Sequence, residues 1–150
     1  MRFYPPLLLQ RVWTVNFHQN FRGVKVKIFK SLLNRNYNGS VFGGTLFAAA
    51  DPFYPVLFHQ IFSHKNYKVI AWSKSSEIQF LKPGMSNLWF EIKIQEAEII
   101  DAEETLNTVG KYVKSYHIEI YDNTGEVCAS LKNEVYLRNL NFNDNALHNE

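Results

Sequence analysis

Asn36-Tyr-Asn-Gly-Ser-Val-Phe-Gly-Gly-Thr-Leu-Phe-Ala-Ala-Ala-Asp51 joins a turn-rich loop, two consecutive glycines and the start of a long apolar segment. Gly39, Gly43 and Gly44 allow a tight backbone path that other residues resist. From the glycines through Phe62 the pattern reads as one helix. Leu46, Ala50, Tyr54, Leu57, Phe58 and Ile61 recur at helical spacing, and Phe47 and Phe53 leave little room for a polar face. A helix apolar nearly all round is a buried one. Asp51 therefore puts an ionisable group on a core element, where a bare charge is expensive. A second reading stays open, because Asp51 precedes Pro52 and can cap a helix that starts at the proline. Residues 43–50 would then form a separate helical turn, with Pro55 adding a bend.

Working outward, Met1 to Gln10 suits a short helix beginning at Pro5-Pro6. Arg11 to Phe17 and Val24 to Lys30 alternate as strands, the second with Val24, Val26 and Ile28 on one face and Lys25 and Lys27 on the other. Beyond the helix come four long alternating runs: Lys68 to Lys82, Leu88 to about Ile100, Val109 to Tyr121, and Val127 to Leu137. Asp122-Asn-Thr-Gly125 is a hairpin turn between the last two, and Val127, Ala129, Leu131, Val135 and Leu137 share a face. The acidic stretch Asp101 to Thr108 reads as a loop or a local helical excursion. These elements predict an α+β fold, one long central helix wrapped by a curved antiparallel sheet of five to six strands. Residues 1–138 form one domain, with 1–22 as an N-terminal helix and strand extension, and 139–150 an Asn-rich disordered tail.

In the Lys68 to Lys82 run, Ile70, Trp72, Ile78 and Phe80 mark the even positions as the face toward the helix. Lys74 and Ser76 interrupt that face. A lysine in an apolar stripe needs an escape to solvent or a partner, and the partner at hand is Asp51. The competing reading is a bulge near Ser73 to Ser76 that turns Lys74 outward.

Composition narrows the function classes. Net charge is +2 across 150 residues, with sixteen Lys and Arg offset by fourteen Asp and Glu, so a nucleic-acid reader is not expected. No apolar run is long enough to span a bilayer, and the short one at Leu7 to Leu9 does not make a signal peptide. Cys128 is the lone cysteine, which excludes an internal disulfide and fits a reducing, cytoplasmic setting. His59, His64 and His117 show no metal-ligand spacing, so no metal is expected. Cys128 reads as a small core filler rather than a nucleophile.

Asn36, Phe42-Gly43-Gly44 and Asp51 stand at the spacings of a pattern found in hotdog-fold thioesterases. Glu77-Ile-Gln-Phe-Leu-Lys-Pro-Gly84 and Asp122-Asn-Thr-Gly-Glu-Val-Cys-Ala129 look like that family's strand end and last hairpin. Over residues 22 to 138 the chain resembles the phenylacetyl-CoA thioesterase-like branch, with Phe42 where that branch has histidine. The resemblance implies hydrolysis of an acyl-CoA or acyl-carrier thioester at the interface of a homodimer, which can pair further into a tetramer. Asp51 would act as general base or nucleophile, the Gly44 backbone amide would meet the oxyanion, and Asn36 would orient water or the carbonyl. Phe42, Gly43, Ser73, Lys74 and Ser76 make up the expected substrate-binding set. Lys25, Lys27 and Lys82 are candidate contacts for the phosphates of coenzyme A, and no cofactor beyond the thioester substrate is expected. The alternative is a non-catalytic acyl-binding hotdog dimer.

Overall fold

Alternation of buried and exposed residues builds most of the sheet. The computed structural model describes residues 4–143. Helix α1 (Pro5–Leu9) opens at the two prolines and leads into β1 (Val12–Phe17). A turn through Asn20 and Phe21, both at positive φ, returns the chain as β2 (Gly23–Ile28). Its Val24, Val26 and Ile28 are fully buried, while Lys25 and Lys27 face solvent. Two helices follow, α2 (Gly43–Ala50) and α3 (Phe53–His64), and then strands β3 (Val69–Phe80) and β4 (Leu88–Lys93). Helix α4 (Glu96–Thr108) precedes β5 (Lys111–Tyr121) and β6 (Val127–Asn139). The six strands form one antiparallel sheet in the order β1-β2-β4-β5-β6-β3, with α2 and α3 packed against it. This is the α+β hotdog architecture.

The core is the apolar face of that helix pair meeting the inward stripes of the strands. Phe53, Leu57, Phe58 and Phe62 are fully buried, as are Phe90, Ile120 and Leu131 opposite them in the sheet. Aromatic rings meet edge and face at the centre. Phe58 lies 5.5 Å from Tyr116, and Tyr54 stacks on Tyr116 at 4.4 Å.

The long central helix over residues 43–64 is present, interrupted only at Asp51 and Pro52, both of which keep helical dihedrals. Two prolines cause the break: Pro52 has no N–H to offer the carbonyl of Ala48, and Pro55 none for that of Asp51. The strand expected to run from Leu88 to Ile100 ends at Lys93, and a helix begins three residues later. The Gln95 side chain accepts from the backbone of Glu98 while the Glu98 carboxylate accepts from the Gln95 N–H at 2.8 Å, a reciprocal cap that starts α4. Ile99, Ala102 and Leu106 form its buried stripe. The facing of β3 also differs from expectation. Ile70 and Trp72 point outward and are about two-fifths exposed, whereas Val69 is buried and Ala71 and Ser73 are half-buried. The bulge lies between Ser73 and Ser75, so the alternation changes phase there and Ser76 and Ile78 turn inward.

Beyond β6, Leu140 N–H donates to the Lys68 carbonyl at 2.8 Å. The remainder of the expected tail, 144–150, lies outside the described residues. Among the described residues no helix is long and apolar enough to cross a membrane.

The β5–β6 hairpin carries its own electrostatic clamp. Asp122 Oδ1 accepts from the Thr124 N–H at 2.8 Å, the Thr124 hydroxyl at 2.6 Å and the Glu126 N–H at 3.0 Å, while Oδ2 receives Lys82 at 2.9 Å. The Thr124 hydroxyl, followed by Lys82, holds this carboxyl down at about 2. A carboxyl depressed by folding adds stability above its unfolded value near 3.8 and loses it as pH falls toward 2. The stability difference between the wild type and Asp122→Asn should therefore be constant above pH 5, shrink as pH falls from 4 to 2 and level off only below that. Urea titrations of both proteins across that range measure it, and a difference that stays unchanged from pH 5 to pH 2 would refute the assignment.

Candidate functional site

Asp51 ends α2 with its carbonyl left unbonded by Pro55, and the neighbouring strands supply what the helix cannot. Ser73 Oγ donates to the Asp51 carbonyl at 3.1 Å, and Asn133 Nδ2 donates to the same oxygen at 3.0 Å. The carboxylate is held as well. Ser76 Oγ donates to Oδ1 at 2.5 Å, with Asn133 Nδ2 at 3.3 Å from that oxygen. Asn133 Nδ2 also approaches Ser73 Oγ at 3.0 Å and Ser76 Oγ at 3.1 Å. The result is a polar centre of four residues, from α2, β3 and β6, on the inner face of the sheet. All the carboxylate bonds fall on Oδ1, and the Asp51 residue is half-buried.

The bulge makes this centre possible. Ser73 and Ser76 are three apart, so on a regular strand they would face opposite sides of the sheet. The extra residue, Lys74, puts both serines on the same side, with Ser73 opposite Val135 and Ser76 opposite Asn133. Lys74 is thereby expelled to solvent, where it pairs with Glu134 at 3.3 Å. The expected contact between Lys74 and Asp51 is overturned, and the expulsion reading of the strand holds. The reading of Asp51 as a side-chain N-cap also fails: α3 begins after Pro52 without a capping side chain, and the Asp51 carboxylate turns to the strands instead.

At the other end of α2, Phe42 is the N-cap residue and Gly43 and Gly44 open the helix. The first amides of a helix have no intrahelical acceptor and carry its positive dipole end. Neither glycine has a positive φ; their value is close approach. A Cβ on Gly43 would lie 2.8 Å from Phe80 Cζ, and one on Gly44 would collide with the Phe42 ring. Phe42 and Phe80 are themselves more than half exposed, so two aromatic rings flank the helix start at the surface.

Gly39 is the one glycine of the loop in the left-handed region, at φ +80°. Gly39→Ala would meet no atom within 4 Å, so its cost is backbone strain alone, about 1 kcal/mol. Chemical denaturation should show that loss.

Asn36 does not join the polar centre. Its Oδ1 accepts from the Asn38 and Ser40 N–H groups at 3.1 Å each, and its Nδ2 donates to Ser40 Oγ at 2.8 Å. It shapes the loop that delivers Phe42 to the helix. Lys82 is engaged by Asp122 and Glu126 in the hairpin. Lys25 lies over the Trp89 ring and Lys27 over Phe29. Cys128 is fully buried, and burial pushes its thiol up, away from nucleophilic reactivity. His117 is solvent-facing. The Tyr112 and Tyr116 hydroxyls meet at 2.9 Å beneath α4, and burial raises both phenols, so they remain neutral.

Asn133 is the residue that sequence reasoning passed over. Its signal was present: the apolar stripe of β6 runs Ala129, Leu131, Val135, Leu137, and position 133 lies within it. A carboxamide in such a stripe requires a buried partner.

The chain superposes on a probable thioesterase of unknown function from Pseudomonas aeruginosa with a TM-score of 0.74 at 19% identity, covering 87% of this chain and 84% of that one. A protein of unknown function from Chlorobaculum tepidum matches with a TM-score of 0.77 at 12% identity, over 91% and 87%. The PaaI protein of the phenylacetic acid degradation operon of E. coli matches at 0.59 and 15% identity, over 90% and 83%. At these identities the likeness is one of fold. No curated protein matches the chain by sequence. The family model described as a domain of unknown function, DUF4442, matches residues 11–137, and the chain belongs to that family.

Proposed function

We propose that the protein is a thioester hydrolase acting on an acyl-CoA or acyl-carrier thioester. The observation that carries the reading is the Asp51 carboxylate, fixed through Oδ1 on a helix that begins with two glycines, in a fold shared with a probable thioesterase. Oδ2 is the oxygen that would accept a proton from water or attack the thioester carbon. The Gly44 amide, with Gly43 beside it, would donate to the developing oxyanion at the positive end of the helix dipole.

One protomer cannot supply both parts to the same carbonyl. Gly44 and Asp51 are seven residues apart on a helix, about 10 Å along its axis. That separation supports a homodimer in which Asp51 of one copy faces the helix start of the other. The free edge of β3, with Ile70, Trp72 and Phe80 exposed along it, suits such pairing. A cytoplasmic enzyme with an apolar acyl pocket flanked by Phe42 and Phe80 completes the proposal.

A binding-only reading has one observation in its favour. Phe42 lies where the resembling family has histidine, and its ring covers Gly44. Thiol release from a panel of acyl-CoAs of varied chain length and aromaticity separates the two. Turnover establishes the hydrolase, whereas silence with ligand-induced thermal stabilisation establishes a binding protein.

A further inference from the structure

We infer that Asn133 is a positioning residue whose amide, shared among Asp51 and the two serines, anchors the Asp51 carboxylate through Oδ1 and leaves Oδ2 as the working oxygen. The inference rests on the hydrolase reading and deepens it. Asn133 is fully buried on β6. Its Nδ2 lies within 3.3 Å of four acceptors: the Asp51 carbonyl, Asp51 Oδ1, Ser73 Oγ and Ser76 Oγ. Two of these, on Asp51, can only accept, which fixes the amide with its nitrogen toward them.

A purely structural account of this residue falls short on two counts. Ser73 already satisfies the carbonyl freed by Pro55, and Ser76 already holds Oδ1. Asn133 adds second donors to both oxygens, and in exchange its own Oδ1 is buried with no partner among the described residues. An apolar residue in this stripe would carry no such orphan. A side chain that is redundant for the fold and unfavourable in one of its own atoms fits a role in the site.

What the amide does follows from its reach. Each serine hydroxyl can rotate, and a rotating donor lets the carboxylate swing. The Asn133 amide is held between β3 and α2, and its two N–H groups, each shared between serine and Asp51 oxygens, favour hydroxyl orientations with their protons away from Nδ2. The hydroxyl protons are thereby directed at Asp51, and the carboxylate plane is set with Oδ2 outward.

Asn133→Val and Asn133→Ala both delete the donor and the orphan acceptor, one near native volume and one smaller, so a defect common to both belongs to the amide. Assayed on the acyl-CoA that the wild type turns over best, each variant should keep its folded circular dichroism and lose at least tenfold in kcat with KM within twofold. Asn133→Val should melt no lower than the wild type. In the Asp51→Asn background the valine change should lower the residual rate no further. A wild-type kcat in Asn133→Val, or a KM effect alone, overturns the positioning role.

If the wild type hydrolyses no thioester, the hydrolase reading falls. The anchoring is then read directly by NMR. The Asn133 side-chain amide pair should shift strongly when Asp51 is changed to Ala, and an unmoved pair would overturn the anchoring itself.

Discussion

Asp51→Asn is expected to lower kcat for acyl-CoA hydrolysis by about 10³-fold, within the range that a positioned proton acceptor contributes. The substitution is isosteric and removes only the charge and basicity of Oδ2. The bonds that fix the side chain should survive it, because the amide oxygen can occupy the place of Oδ1 and accept from Ser76 and Asn133. The Asp51 carbonyl keeps Ser73 and Asn133 in any case. Folding and self-association should therefore match the wild type, with the change confined to turnover. Steady-state thiol release, with sedimentation of both proteins, makes the measurement. A variant within threefold of the wild-type kcat would remove Asp51 from the chemistry.

The largest stability effect should come from Phe58→Ala. Phe58 is fully buried on α3 and packs 6.4 Å from Phe62, 6.2 Å from Tyr112 and 5.5 Å from Tyr116. It thus joins the central helix to β5 through a cluster of rings. Truncation loses the transfer free energy of the benzyl group and leaves a cavity lined by aromatic rings held on α3 and β5, so collapse is limited. The expected loss is about 3–5 kcal/mol, or roughly 10 °C in melting temperature for a domain of this size. Urea unfolding should show a lower midpoint with an unchanged slope. A loss below 1 kcal/mol would mean that the rings relax into the space.

Much of the architecture was legible because it rests on local periodicity. The alternation in β2, β5 and β6 and the apolar helix around Leu57 and Phe58 carry their facing in the chain itself. What misled the reading were places where two local signals overlap. Ile94, Ile99 and Ile100 extend the β4 pattern on paper, yet the reciprocal cap of Gln95 and Glu98 starts a helix among them. In β3 the large residues Ile70 and Trp72 suggested an inward face, but exposure there is decided by the bulge, and Trp72 stacks on Tyr136 at 4.3 Å outside the sheet. The candidate site was half legible. Asp51 and the glycines were found by spacing, while its partners lie 22, 25 and 82 residues away and meet it only through strand pairing.

That last separation has a consequence for how the molecule comes into being. During synthesis β3 emerges long before β6, the strand it pairs with inside the chain, and β6 then has to insert between β3 and β5. Until it does, β3 has no partner in its own chain and Asp51 has no Asn133. Such late, long-range closure is slow relative to helix formation and leaves an open strand edge exposed meanwhile. A nascent chain stopped at the Asp122 turn would hold the α2–α3 pair but not the polar centre. Appearance of the site thus marks the end of folding, and chaperone dependence should be greatest while the last strand is still being made.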